Sequence, residues 1–293
     1  MAAHKILLIG FGALNQQLAR LLRERGGDLL AVRRSGGRAA GVDLRALDAT
    51  DWESLARLLR DERPAQAVIT LTPDERSAAG YRRCYLQAAR ALVAAAADAG
   101  QRPAVLFVSS TSVYAQNRGE LVNESSACRP RRFNGQVLLE AEQCLLNSEL
   151  PTSAVRFSGI YGPGRHWLIE QSLRDAPAAN SMQWTNRIHI DDCARVLAHL
   201  LAMPVARRRS IYVASDSEPV LRGEVQNWIR ARFGLPAIDM AQAGEVSGKR
   251  CDNRRLLESG FVFEYPSYRE GLVGVIEGYK YVQRRSEPSH SFK

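Results

Sequence analysis

The chain has 293 residues, 45% hydrophobic and 24% charged, with a formal net charge of +9 at pH 7. That length exceeds the usual range of a single core, so one large lobe plus a smaller one is expected, and the composition is that of a soluble globular protein. No apolar run approaches the ~20 residues of a membrane span, and the arginines that supply the excess charge are dispersed, without the aromatic-interleaved stripe that tracks nucleic acid.

The opening MAAHK leads straight into an apolar run, which predicts no signal peptide. Cys84, Cys128, Cys144, Cys193 and Cys251 are scattered, odd in number and never spaced C-x-x-C. This pattern predicts a reduced, cytoplasmic protein with neither a disulfide framework nor a metal site.

In chain order, the first element is the richest. Ile6–Ile9 read as a buried strand, Gly10 and Gly12 as a tight turn, and Leu14, Leu18, Leu21 and Leu22 as one face of a helix. Such a turn lets the backbone approach a pyrophosphate, and the helix N-terminus supplies free N–H groups and a positive dipole. The usual third glycine is Asn15, so the pattern is G-x-G-x-x-N. Further strands are expected at 28–33, 67–72, 104–110 and 153–160, alternating with helices at 14–25, 52–61, 77–99 and 135–148. This alternation predicts right-handed crossovers and an α/β, Rossmann-type doubly wound parallel sheet. The alanine-rich helix at 77–99 suits close packing or a homodimer contact. Beyond Gly162 the pattern breaks up, with helices at 191–203, 223–233 and 268–282 and a strand at 210–214. The expected organisation is a dinucleotide-binding domain at 1–162, to which segments around 186–215 return. A smaller C-terminal substrate lobe follows at 163–283, then a disordered tail at 284–293.

An acid at the end of the second strand accepts from the ribose 2′-OH of NAD; here the strand ends in Arg33 and Arg34, with Ser35 beside them. Guanidinium groups there suit a 2′-phosphate, which favours NADP(H) over NAD(H). The other reading of these two residues is a pair of solvent arginines. Thr70, Leu71 and Thr72 end a central strand, where open α/β sheets border their ligand. With Gly10, Gly12, Ala13, Leu14 and Ser109 they complete the expected cofactor set.

Five stretches in register resemble the extended short-chain dehydrogenase/reductase superfamily, of NAD-dependent epimerase/dehydratase type. They are the Gly10–Gly12 turn, VLFVSSTSVY at 105–114, VRFSGIYGPGR at 155–165, NRIHIDDCARVL at 186–197, and KRCDNRRLLESGFVFEYPSYREGL at 249–272. The resemblance implies a Rossmann sheet with a smaller substrate lobe. It places Asp48 near the adenine, Ser110 at the catalytic serine position, and Gly162 and Arg165 in a loop facing the nicotinamide and substrate. Lys249, Arg250 and Asn253 match a motif supporting the substrate region.

The same resemblance exposes a departure. Family chemistry uses Tyr-x-x-x-Lys, but alignment on the helix ending EAEQCLL puts Asn134 and Leu138 at those positions. Asparagine cannot carry a proton across a reaction, and leucine cannot hold ribose hydroxyls. Tyr114, Tyr161 and His189 are candidates for a relocated acid/base; the plainer readings are packing for the tyrosines and an orienting hydrogen bond for the histidine. Asp191 and Asp192 read as a carboxylate pair or as helix N-terminal residues. Two functions follow. One is an atypical oxidoreductase or isomerase of a small carbonyl, hydroxyl or sugar-type ligand; the other is a non-catalytic NADP(H)-binding sensor or regulatory protein.

Overall fold

The computed structural model describes residues 5–174, 180–240 and 244–286, with side chains described through residue 283. The expected tail from 287 onward lies outside the described residues. The first half runs β1 (Ile6–Ile9), α1 (Ala13–Glu24), β2 (Leu29–Arg33), β3 (Asp43–Ala46), α2 (Trp52–Glu62) and β4 (Gln66–Ile69). It continues through α3 (Ala78–Tyr81), a π-helical turn at Arg82–Gln87, α4 (Ala88–Ala99), β5 (Ala104–Ser110), β6 (Arg118–Val122) and α5 (Phe133–Leu146). Next come β7 (Thr152–Phe157), β8 (Gly159–Tyr161), α6 (Trp167–Leu173), β9 (Gln183–Thr185), β10 (Arg187–His189) and α7 (Ile190–Ala202). The chain closes with β11 (Ile211–Ala214), β12 (Val220–Leu221), α8 (Arg222–Arg232), β13 (Ser247–Cys251), α9 (Arg254–Glu258) and α10 (Tyr268–Ser286).

Seven strands form one parallel sheet in the order β11-β7-β5-β4-β1-β2-β3. Both faces are covered, so the central strand β1 is apolar at every position and not only at alternate ones. Leu7 and Ile9 point into a core with Leu55 and Leu59 of α2, Leu92 of α4 and Leu145 of α5. Ile6 and Leu8 point the other way, against Leu18 and Leu22 of α1 and Val196 and Leu200 of α7. A third cluster, with Ile169, Val225, Ile229, Tyr268 and Leu272, joins α6, α8 and α10. The alanine face of α4 (Ala88, Ala89, Ala91, Ala95, Ala96) is buried within the chain, packed towards α2.

The structure departs from the sequence expectation where backbone pairing, not side-chain pattern, defines the element. The expected strand at 67–72 ends at Ile69, releasing Thr70–Thr72 into a loop. The strand expected at 153–160 breaks at Ser158 into β7 and β8, and β8 pairs with β10 in a separate two-stranded sheet. The helix expected at 77–99 is interrupted by its π-helical turn. Strands β3, β6, β9, β12 and β13 carry no apolar run that would mark them; all but β3 belong to a four-stranded sheet in the order β12-β9-β13-β6.

The strand order reverses between β1 and β4, and ligands of open α/β sheets bind at that switch point, outside the carboxyl ends of the strands. The loops that meet there are Gly10–Gly12 and Thr70–Thr72.

Candidate cofactor and active site

Gly10 has φ +85, and a Cβ built on it would stand 2.2 Å from the Thr70 carbonyl oxygen. Only glycine lets the first loop pass this close to the second. Gly10→Ala is therefore expected to lose about 1–3 kcal/mol through forced backbone strain, read as a lower melting temperature together with weakened dinucleotide binding. Gly12 is the opposite case: nothing lies within 4 Å of its Cβ direction, so the backbone is open to a ligand. Asn15 is fully buried, and its Nδ2 donates to the Gly10 carbonyl at 2.6 Å, so the residue standing in place of a third glycine clamps the turn.

Helix α1 begins at Gly12 without a side-chain cap and without an acid in its first turn. Its N-terminal N–H groups and dipole are thus left for an anion. Two contiguous cavities flank it. The larger, about 680 Å³, is bordered by Arg33, Arg34, Ser35, Asp48, Thr50, Thr70–Asp74, Arg83 and Cys84. The smaller, about 240 Å³, is bordered by Gly12–Leu14, Thr70–Thr72, Tyr85, Ser109, Ser110, Leu138, Phe157, Ser158 and Arg165. Thr70 Oγ1 and Ser158 Oγ are buried on these walls with no hydrogen-bond partner. Buried hydroxyls are normally satisfied, so orphans facing a cavity suit a polar ligand. The uncapped helix, the open Gly12 and these hydroxyls fit a dinucleotide.

In the larger cavity, Arg34 makes a two-pronged ion pair with Asp74, at 2.7 and 2.5 Å, from the loop after β2 to the loop after β4. Arg33 Nε donates to the Gly36 carbonyl oxygen. Asp48 accepts from the N–H and hydroxyl of Thr50, at 2.9 and 2.8 Å. Asp51 caps α2, accepting from the Ser54 N–H at 3.0 Å.

In the smaller cavity, Ser110 Oγ accepts from the Ser112 N–H at 3.1 Å, so its own proton points elsewhere. Leu138 borders the cavity, as the alignment implies, but Asn134, one turn earlier, borders neither cavity. The start of α5 is pressed so closely on the turn after β5 that a Cβ on Gly135 would stand 2.4 Å from the Ser112 carbonyl oxygen. The side chain that sequence reading missed is Tyr85. It comes from the π-helical turn, borders the same cavity as Leu138, and its hydroxyl donates to the Leu71 carbonyl at 3.2 Å. Burial pushes its pKa up, so it is a phenol, not a phenolate, at neutral pH. Its sequence signal was the helical position alone, which Tyr81 shares.

The relocated acid/base candidates are placed elsewhere. Tyr114 is buried and accepts from Arg156 Nη1 at 2.8 Å, inside a network where Arg156 pairs with Glu142 at 2.6 Å and Ser109 donates to Glu142. Tyr161 is buried in the third core, its hydroxyl bonded to the Ser267 carbonyl at 3.4 Å. His189 caps α7: its Nδ1 accepts from the Asp191 N–H at 3.2 Å, and burial lowers its pKa so that it stays neutral. None of the three borders either cavity.

Gly162, expected on the substrate side, is also outside them; at φ +148 its Cβ direction runs into Ile190 at 2.6 Å. Asp191 instead accepts from Gln17 of α1 at 2.5 Å, and buried Asp192 accepts from the N–H groups of Glu264 and Tyr265 at 2.9 and 2.8 Å. The carboxylate pair is therefore scaffolding. Lys249 donates to the Tyr114 carbonyl at 3.2 Å and Asn253 to the Ser215 carbonyl at 3.0 Å, tying the C-terminal motif to the ends of β5 and β11. Among the described residues no group of His, Cys, Asp and Glu has the arrangement of a metal site, and no helix is long and apolar enough to cross a membrane.

A sequence model of the NAD dependent epimerase/dehydratase family matches residues 6–214. A Methylobacillus flagellatus protein assigned as an NAD-dependent epimerase/dehydratase is 32% identical, with a TM-score of 0.82 over 95% of this chain and 100% of that one. MoeE5, solved in complex with UDP-glucuronic acid and NAD, is 25% identical, with a TM-score of 0.77 over 95% of this chain and 99% of its own. An assigned epimerase from Burkholderia cenocepacia J2315 shares the fold at 18% identity, with a TM-score of 0.79 over 95% and 98% of the two chains. Among curated proteins, none matches.

Proposed function

The chain belongs to the NAD dependent epimerase/dehydratase family, and on that premise we propose that it binds NADP(H) in preference to NAD(H) and acts as an oxidoreductase or isomerase of a carbonyl- or hydroxyl-bearing, sugar-type compound. The observation that carries the reading is the pair of cavities over the uncapped N-terminus of α1, one walled by Arg33 and Arg34 and the other by six hydroxyl-bearing side chains and Arg165. MoeE5 was solved with UDP-glucuronic acid, which makes nucleotide-linked sugars the first class to screen.

The bound cofactor would supply a hydride donor or acceptor. The chain's own residues do the rest. First-turn N–H groups of α1 hold the pyrophosphate, and Arg33 and Arg34 hold the 2′-phosphate through charge-assisted bonds. Ser110 and Tyr85 direct hydroxyl protons at a substrate oxygen in the smaller cavity, and Arg165 holds an anionic part of the substrate. Tyr85, its hydroxyl turning from the Leu71 carbonyl to the substrate oxygen, would give its proton to that oxygen as a carbonyl is reduced.

Fluorescence titration with NADPH and NADH tests the cofactor assignment. NADPH is expected to bind more tightly, and replacing both Arg33 and Arg34 by alanine to cost about 1–3 kcal/mol for NADPH and little for NADH. Equal affinity for the two nucleotides, or tighter NADH, would remove the role given to the arginines.

A second reading, a non-catalytic NADP(H)-responsive protein, is favoured by Leu138 itself. An aliphatic group stands on the cavity wall where the family's lysine belongs. Wild-type turnover with NADPH across sugar-type substrates separates the two. A sensor scaffold stays silent, whereas an enzyme with its donor at Tyr85 turns over and loses rate on Tyr85→Phe.

A further inference from the structure

Resting on the NADP(H) reading above, we propose that Asp74 sets the strength of cofactor discrimination by competing with the 2′-phosphate for Arg34, and that Arg83 receives Asp74 when Arg34 is taken.

The geometry is a clasp across the mouth of the larger cavity. Arg34 hangs from the loop after β2 and Asp74 from the loop after β4, and both oxygens of Asp74 are engaged by the two terminal nitrogens of Arg34. Both residues border the cavity, and both side chains are about half exposed, 59% and 51%. One of the two guanidinium groups assigned to a 2′-phosphate is thus already paired with a carboxylate of the same chain.

A phosphate that takes the paired Nη1/Nη2 edge of Arg34 displaces that carboxylate, and two anions left side by side without a second cation repel each other. The second cation is Arg83. It projects from the π-helical turn onto the same cavity wall, and its charge, after that of Arg34, helps hold Asp74 below the usual carboxylate range. Insertion of one residue into a helix re-aims the side chains that follow, and such π-turns recur at functional sites. The exchange is one of partners: Arg34 moves from Asp74 to phosphate, and Asp74 moves from Arg34 to Arg83. NAD(H), which has no 2′-phosphate, leaves the clasp closed.

An exposed ion pair of this kind is worth enough to change an affinity by about two- to fivefold. The experiment is calorimetric titration of NADPH and NADH into the whole protein, wild type, Asp74→Asn, Arg83→Ala and the double variant. Asp74→Asn is expected to tighten NADPH about fivefold and to leave NADH unchanged within twofold. Arg83→Ala is expected to weaken NADPH in the wild-type background and to have much less effect when Asp74 is already asparagine. If Asp74→Asn weakens both nucleotides, Asp74 is a cofactor ligand and the exchange is overturned while the site assignment stands. If it changes neither, or if Arg83→Ala has the same effect in both backgrounds, the exchange is overturned as well. A wild-type protein that binds neither nucleotide overturns the proposed function itself.

Discussion

Arg156→Met is expected to destabilise the fold by about 3–5 kcal/mol, the usual cost of stranding one member of a buried ion pair. Arg156 and Glu142 are 2% and 1% exposed. Three hydrogen bonds join them, at 2.6, 3.0 and 3.2 Å, while Ser109 and Tyr114 occupy the remaining directions. Without the guanidinium, the Glu142 carboxylate is left in an apolar interior with one hydroxyl for a partner. Arg156→Met combined with Glu142→Leu should recover much of the loss, because the paired charges themselves repay little more than their desolvation. Urea unfolding of the wild type and the two variants decides this; a loss below about 1 kcal/mol in the single variant would mean that the pair is hydrated in solution. The network also fixes Ser109 on the wall of the smaller cavity, so its loss should disturb the nicotinamide end first.

Tyr85→Phe carries the largest expected effect on chemistry. Removing a general acid typically costs 10²–10⁴-fold in rate, and here the phenol is replaced by a group of the same shape. The expected result, on the first sugar-type or small carbonyl substrate that the wild type reduces, is a fall in kcat of that order with NADPH affinity unchanged within about threefold. Tyr114→Phe and Tyr161→Phe should leave kcat within about tenfold, since both hydroxyls are bonded inside cores away from the cavities. A Tyr85→Phe enzyme with wild-type kcat would return the proton transfer to Ser110 or to solvent.

Much of this architecture is legible in the sequence because it is written in side chains. The apolar run Ile6–Ile9, the glycines after it and the spacing of Leu18 and Leu22 prescribe strand, turn and helix through burial alone. The grouping of the candidate cofactor residues is legible for the same reason: Gly10, Gly12, Arg33, Arg34, Asp48 and Thr70–Thr72 lie at the carboxyl ends of β1 to β4, and the structure gathers all of them at one cavity. What the sequence hides depends on contacts between distant segments. Arg34 and Asp74 are 40 residues apart, and neither carries a local sign of the other. Glu142 lies on the face of α5 that carries Leu138 and Leu145, and a charge on an apolar stripe was the one hint of a buried partner. Tyr85 reaches the smaller cavity from a π-helical turn, which no helical periodicity foretells. For Tyr161 and His189 the sequence leaves two readings open, because motif loops locate a residue near a site without fixing which way its side chain turns. Both turn inward and stack edge-on at 5.3 Å.

The measurement that bears most directly on the central claim is a crystal structure of the protein with NADPH. The nicotinamide is expected in the 240 Å³ cavity between Leu138 and Tyr85, with the 2′-phosphate against Arg33 and Arg34 and the pyrophosphate on the N–H groups that open α1. A nucleotide bound away from the Gly10–Gly12 turn, or a nicotinamide ring with Tyr85 out of hydrogen-bond reach of the space over its reactive face, would contradict it.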